Sequence, residues 1–203
     1  MISPGRPASR LEAIQVMVLE GSTRAADMLR EVFVKLGFTN VFVVNDGYEG
    51  IRMMKQSPVH LIFTDWELKV RKKRKLPSIQ APEGSASAEA LPVNGTDFVK
   101  RLRQSPHSPN PFVPVVMVVN DNSEDNLARI RDASVNEVIS KPLDVEEMCK
   151  RIISLIDDTR YFITAENYKG PCRRRQASAP PDGAERRIRQ VRLIRRREAK
   201  GRK

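Results

Sequence analysis

The sequence contains few cysteines and histidines and no long apolar run. Its two cysteines, Cys149 and Cys172, are too few and too differently placed for a disulfide framework or a cysteine-ligated metal site, so we expect two reduced thiols. The histidines, His60 and His107, receive no role. Apolar runs such as PVVMVV have the length of a strand rather than the roughly 20 residues of a membrane-spanning helix, and the N-terminal MISPGRPASR has no apolar segment typical of a signal peptide. These absences predict a cytoplasmic protein.

Acidic residues are scarce in the C-terminal part of the chain. Residues 158–203 contain fifteen Lys or Arg and five Asp or Glu, an excess of +10 within a net charge of +11. A second basic segment, residues 69–93, has an excess of +4, so the rest of the chain carries about −3. That balance is ordinary for a soluble domain, and the basic character is therefore confined to two segments.

Five short apolar runs alternate with amphipathic segments in the first three quarters of the chain. The runs are rich in β-branched residues and show little polar alternation, which is typical of strands buried on both faces of a parallel sheet. They occupy residues 14–19, 41–44, 60–64, 113–119 and 137–140. Gly37 stands where the first intervening helix should end, and Asp144 with Glu147 forms a capping box that begins the last one. This order predicts an α/β fold with a doubly wound five-stranded parallel sheet.

Segments with few large apolar residues flank and interrupt this predicted domain, which spans residues 11–157. Residues 1–10 and the insertion at 69–93 cannot bury enough apolar surface to become ordered, so we predict that both are disordered. The C-terminal extension, residues 158–203, is expected to be largely disordered or partly helical. Its segment AERRIRQVRLIRRREAKGRK would place a narrow apolar stripe on a basic helix, formed by Ile188, Val191 and Ile194.

Polar side chains follow four of the five predicted strands. Glu20, Asp65, Asn120 and Lys141 come directly after the first, third, fourth and fifth strands. In an open parallel sheet, functional groups gather outside the carboxyl ends of the strands. We therefore expect these four side chains to converge at one edge of the sheet.

The segments that hold these residues, VLEGS, FTDWEL, VMVVND and ISKPL, resemble the receiver domain of two-component response regulators. The spacing from Glu20 to Asp65 and from Val119 to Lys141 matches that family. The extra length between Asp65 and Val119 is accounted for mainly by the basic insertion. The resemblance covers residues 11–157 and implies the flavodoxin-like receiver fold.

The resemblance also implies a role for each residue of the predicted site. Asp65 occupies the position of the phosphoacceptor and Lys141 that of the counter-charge to the phosphoryl group, and the family uses Mg²⁺ for the transfer. Gly21 stands where the family has a metal-binding acid, so the metal site is expected to be reduced to Glu20 and Asp65, with Glu67 as a replacement ligand.

Two positions that form the conformational switch in the family hold other residue types here. The family has a hydroxyl at the end of the fourth strand and an aromatic residue on the fifth, and here these positions hold Val119 and Val138. A valine cannot donate a hydrogen bond to a phosphoryl oxygen. Because a switch needs a contact that differs between its two states, we expect the usual output route to be lost or replaced.

These features predict an atypical stand-alone receiver rather than an enzyme. It would either accept a phosphoryl group on Asp65 from a histidine kinase or phosphotransferase protein, or act on a downstream protein as a pseudo-receiver. The alternative is an adaptor whose residues 171–203 bind nucleic acid or an anionic membrane surface, since GPCRRR and the later arginines concentrate positive charge. A phosphohydrolase is disfavoured, because Asp65-Trp66-Glu67 lacks paired aspartates and follows the third strand.

Overall fold

The computed structural model describes residues 9–68, 94–156, 161–165, 168–172 and 192–194. Most of the two basic segments, including the whole insertion at 69–93, therefore lies outside the described residues. The elements are, in order, α1 (Ser9–Glu12), β1 (Gln15–Leu19), α2 (Thr23–Lys35), β2 (Asn40–Val44), α3 (Gly47–Gln56), β3 (Leu61–Asp65), α4 (Gly95–Gln104), β4 (Val115–Val119), α5 (Glu124–Asp132), β5 (Glu137–Ser140), α6 (Val145–Ile156), β6 (Phe162–Ala165), β7 (Tyr168–Pro171) and β8 (Arg192–Ile194).

The main sheet contains five parallel strands in the order β2-β1-β3-β4-β5. Asp65 at the end of β3 pairs in register with Val118, and Val119 at the end of β4 pairs with Ser140. The carboxyl ends of these strands therefore lie at one edge of the sheet. The predicted α/β class and five-stranded parallel topology are confirmed.

Two apolar layers sandwich the sheet. Residues of α3, α4 and α5 pack on one face around Phe98 and Leu102, and residues of α2 and α6 pack on the other around Phe33 and Met148. The ring of Phe33 makes edge-to-face contact with that of Phe63 at 5.3 Å between centroids. Burying each such side chain stabilises the fold by about 1.5–3 kcal/mol, so the strand runs are apolar because both of their faces are covered.

Side-chain caps fix where the helices begin. The side chains of Ser22, Asp46 and Asn94 accept hydrogen bonds from the first-turn N–H groups of α2, α3 and α4. At the start of α6, the Asp144 carboxylate accepts the N–H of Glu147 at 2.8 Å, as predicted from the capping box. Each cap satisfies a backbone donor that a helix leaves unpaired.

The termini of the domain differ from the sequence prediction. Ser9 and Arg10, expected to be disordered, belong to the short helix α1. In the C-terminal extension, where we expected disorder or a helix, the described parts are strands: β6 and β7 form an antiparallel hairpin, and β8 pairs antiparallel with β6. Phe162 and Ile163 favour a strand, because β-branched and aromatic residues fit a pleated, half-buried surface. Among the described residues, no helix has the length and apolar character to cross a membrane.

Candidate functional site

Three of the predicted residues meet at the carboxyl edge of the main sheet. Glu20 follows β1, and its N–H donates to the carbonyl oxygen of Val44 at 3.1 Å. Asp65 is the last residue of β3, and Lys141 follows β5 with its N–H on the carbonyl oxygen of Val119. The backbone pairing of the sheet thus holds all three Cα positions, and their side chains form one cluster, which we call the acidic pocket.

An ion pair lies at the centre of the acidic pocket. Lys141 Nζ is 2.5 Å from Asp65 Oδ2, and Asp65 is only 5% exposed whereas the Lys141 side chain is 34% exposed. The other carboxylate oxygen, Asp65 Oδ1, accepts the N–H of Glu67 at 3.2 Å. The carboxylate of Asp65 is therefore held in one orientation, with its cationic partner on the side that reaches solvent.

Glu20 contributes a second buried carboxyl group. Its Oε1 accepts the N–H of Ser22 at 2.7 Å, and its side chain shares a hydrogen bond with Asp65. Burial, that hydrogen bond and the charge of Asp65 raise the pKa of Glu20 to about 7, although the N–H of Ser22 and the charge of Lys141 act in the opposite direction. Near neutral pH, the carboxyl group of Glu20 is therefore only partly protonated, and the charge of Lys141 balances that of Asp65.

The start of α4 packs against the backbone of Asp65 and Trp66. Gly95 donates its N–H to the carbonyl oxygen of Trp66 at 2.8 Å, and a Cβ at Gly95 would overlap the carbonyl oxygen of Asp65. The hydroxyl of Thr64 donates to the same carbonyl oxygen at 3.0 Å. Only glycine permits this approach, so α4 rests directly on the backbone of Asp65. The sequence analysis missed Gly95, although a glycine that opens a helix soon after a site strand is a usable signal.

The remaining predicted residues lie apart from the ion pair. Asn120 is exposed at the same edge of the sheet. The Glu67 side chain is exposed, and its contribution to the pocket is its backbone N–H. Val119 is 1% exposed and belongs to the core beside α4, against which the half-buried Val138 also packs. Both switch positions are therefore part of the apolar core.

Mg²⁺ is the metal that the resemblance implies for this site. Within the described ranges, no three His, Cys, Asp or Glu side chains are grouped to hold a metal ion, so the trio of Glu20, Asp65 and Glu67 is not assembled. Glu20 and Asp65 remain as two adjoining buried carboxyl groups. Mg²⁺ keeps several waters and is commonly bound through one or two carboxylates together with phosphate oxygens. The pocket fits a magnesium ion in this reduced form.

Comparisons with known proteins agree on the fold. No family model matches the chain. A probable chemotaxis protein CheY from Rhizobium etli is 20% identical over 137 residues, which cover 68% of this chain and 88% of the relative. A putative response regulator from Chloroflexus aurantiacus superposes with a TM-score of 0.55 at 17% identity, covering 71% of this chain and 98% of that structure.

Two further solved structures contain a receiver domain together with a metal ion or a partner protein. The receiver domain of a sensor histidine kinase from Pseudomonas aeruginosa, solved with a magnesium ion in its active-site cleft, has a TM-score of 0.52 at 16% identity and covers 70% of this chain and 95% of its own. The receiver domain of a Saccharomyces cerevisiae response regulator, solved with the histidine phosphotransfer protein upstream of it, has a TM-score of 0.52 at 19% identity and covers 70% and 87%. The chain has the fold of CheY-like response regulator receiver domains.

Proposed function

We propose that this protein is an atypical receiver that accepts a phosphoryl group on Asp65 in phosphorelay signalling. The observation that carries the proposal is the 2.5 Å ion pair between Lys141 and a buried Asp65 at the carboxyl edge of the sheet. A strand-end aspartate that merely capped a loop would not require a lysine from a strand two positions away. The likeness to receiver structures supports the same conclusion.

The chemistry assigned to Asp65 is nucleophilic attack on phosphorus. The donor is a phosphohistidine of a histidine kinase or phosphotransferase protein: its P–N bond breaks as a P–O bond forms to the Asp65 carboxylate, and the imidazole takes up a proton. Such transfers depend mainly on positioning and on neutralising charge around the phosphoryl oxygens. Lys141 is placed for the second task, since its ammonium group can follow the negative charge from the carboxylate to the new phosphoryl oxygens.

Glu20 and Asp65 would hold the magnesium ion that supports this transfer. When bound, the ion supplies positive charge to the phosphoryl oxygens. Glu20 must lose its proton to act as a ligand, and its pKa of about 7 makes that loss partial at neutral pH. We expect weaker magnesium binding than a site with one more carboxylate, because Gly21 offers no side-chain ligand.

The proposal is tested by incubating the protein with a small phosphodonor and Mg²⁺ and measuring its intact mass. The wild type should gain one phosphoryl group, and Asp65→Asn should gain none. Asp121→Asn is the matched control, because Asp121 is an exposed aspartate that follows the neighbouring strand β4. That variant should gain mass as the wild type does.

A folded wild type that gains no mass would contradict phosphoryl acceptance. The same protein would then be assigned to the pseudo-receiver class, in which the receiver fold acts on a downstream protein without modification. Gain of mass in both aspartate variants would show instead that the phosphodonor modifies another group.

A second function is supported by the placement of β8. Its backbone pairs with β6, so residues 192–194 of the arginine-rich extension belong to the antiparallel sheet. We therefore keep an adaptor role, in which residues 171–203 bind nucleic acid, as the alternative. Binding through phosphate contacts falls steeply with salt.

This alternative is tested with the full chain and a fluorescent 20-mer duplex at several salt concentrations. Replacing Arg195, Arg196 and Arg197 by Gln should weaken binding and reduce its salt dependence if the extension contacts phosphates. Binding that survives the three substitutions unchanged would contradict the adaptor role, and tighter binding to anionic vesicles than to the duplex would assign the extension to membranes.

A further inference from the structure

Helix α4 joins the acidic pocket to the C-terminal hairpin. Its first residue, Gly95, lies against the carbonyl oxygen of Asp65 and donates its N–H to Trp66. Its ninth residue, Arg103, is 1% exposed and lies at the opposite end of the helix. At a rise of about 1.5 Å per residue, the two ends are roughly 12 Å apart. One short helix thus contacts both regions.

Arg103 ties the far end of α4 to three segments at the amino edge of the main sheet. Its guanidinium group donates to the carbonyl oxygen of Pro111 at 2.7 Å, to that of Ser134 at 3.3 Å and to the side-chain oxygen of Asn136 at 3.0 Å. Asn136 Oδ1 also accepts the N–H of Val115, the first residue of β4. A displacement of α4 therefore strains several buried hydrogen bonds together.

The same arginine anchors the hairpin. Its guanidinium carbon lies 5.1 Å from the ring centroid of Phe162, the first residue of β6, and that ring also contacts Phe112 edge-to-face at 5.2 Å. On the other strand, Gly170 approaches Ser134 so closely that a Cβ would overlap its side chain. The hairpin is thus packed on the groups that Arg103 holds.

We propose that α4 couples the state of Asp65 to the β6–β7 hairpin and, through β8, to the arginine-rich extension. The inference rests on the proposed function, since the input is a phosphoryl group on Asp65. It supplies an output route that the valines at the two switch positions do not provide. The receiver and its extension then form one responsive unit, with Arg103 and Phe162 as positioning residues.

The coupling follows from how both ends of α4 are fixed. A phosphoryl group carries about −1.5 to −2 charge and replaces the single negative charge of the Asp65 carboxylate, so Lys141 must move from the carboxylate to the new phosphoryl oxygens. We expect the backbone of Asp65 and Trp66, whose carbonyl oxygens contact Gly95 at the start of α4, to be displaced in the same event. Because buried close-packed interfaces resist gradual deformation, α4 moves as a rigid unit. Its movement shifts Arg103 together with the groups that Arg103 contacts.

Beryllofluoride with Mg²⁺, a mimic of the phosphoryl group, provides the test with the full chain. Trp66, the single tryptophan, adjoins the acceptor, so its fluorescence reports binding. We expect hydrogen exchange of the amides at residues 161–172 to change on binding in the wild type. Phe162→Ala should change the beryllofluoride Kd by at least about fivefold, since coupling free energies are reciprocal.

Tyr161→Ala is the matched control, because Tyr161 is the adjacent aromatic residue but is exposed. Its Kd should stay within about twofold of the wild type, below the usual range of coupling factors. Unchanged hydrogen exchange in the hairpin on saturation of the wild type would overturn the coupling while leaving phosphoryl acceptance standing. Absence of both beryllofluoride binding and phosphodonor mass gain would instead overturn the proposed function and the coupling together.

Discussion

At the scale of single residues, the carboxyl group of Glu20 keeps its proton to a higher pH than a glutamate ordinarily does. Its carboxyl group is 5% exposed and lies beside a carboxylate that is also buried. Two ionised carboxylates in that position repel each other, and Lys141 can neutralise only one of them. The folded protein therefore holds the proton of Glu20 to a higher pH than an unfolded chain does.

This proton makes stability depend on pH. The pKa of Glu20 is about 7 in the folded protein and 4.5 ordinarily, so the stabilising effect of its proton is complete below pH 4.5 and is lost as the pH rises through 7. The free energy of unfolding should fall by about 3 kcal/mol over that range through this group alone. Urea unfolding of metal-free protein at pH 5 and pH 8 measures the change, and Glu20→Gln, which keeps a donor towards Asp65, should remove it. A variant with the full pH dependence of the wild type would contradict the assignment.

Removal of Lys141 should destabilise the protein through Asp65. The substitution Lys141→Met leaves a buried carboxylate without its cation, which should cost about 1–3 kcal/mol after allowance for the partial exposure of the lysine. Lys150→Met is the control, because Lys150 forms an ion pair with Glu146 in which both side chains are exposed, and a surface pair of this kind contributes little to stability. Equal unfolding midpoints for the two variants would show that the pocket pair behaves as a surface pair.

At the scale of elements, the first turn of α4 fixes the position of the Asp65 backbone. Gly95→Ala places a methyl group against the carbonyl oxygen of Asp65, so we expect a loss of about 1–3 kcal/mol in stability and a slower gain of mass from the phosphodonor. Gly50→Ala is the comparison, since its Cβ would meet Phe98 at 3.3 Å, where a side chain can adjust, and alanine favours a helix interior. Similar losses in both variants would contradict a special role for Gly95.

The elements differ in how well the sequence predicts them. The strands of the main sheet were predictable because runs such as 115–119 are apolar on both faces. The acidic pocket was predictable because the carboxyl ends of parallel strands lie at one edge of the sheet. The hairpin was not, because Phe162 is held by Arg103 and Phe112, which lie about fifty to sixty residues earlier in the chain. Local sequence favours a strand there only weakly, and the deciding contacts are tertiary.

At the scale of the whole molecule, Arg103 makes the hairpin part of the domain. Arg103→Met would remove the donor to the carbonyl oxygens of Pro111 and Ser134 and one of the two donors to Asn136 Oδ1, and each buried group left unpaired costs about 1–3 kcal/mol. We expect a large loss of stability and faster proteolysis after residue 160, measured by limited digestion and thermal unfolding. Arg129→Met changes an exposed arginine of α5 and should leave both measurements near the wild type. Rapid cleavage in both variants would argue that the hairpin is not anchored by Arg103.

The protonation state of Glu20 also sets the net charge that an incoming phosphate group would encounter in the pocket. With Glu20 protonated, the charges of one carboxylate and one ammonium group cancel and the cluster is neutral; with Glu20 ionised, the cluster carries a net negative charge. A modest acidification of the surroundings would thus ease entry of the anion even as it weakens the hold on a divalent cation. The pocket would therefore respond both to acidity and to the supply of magnesium, through the single carboxyl group of Glu20.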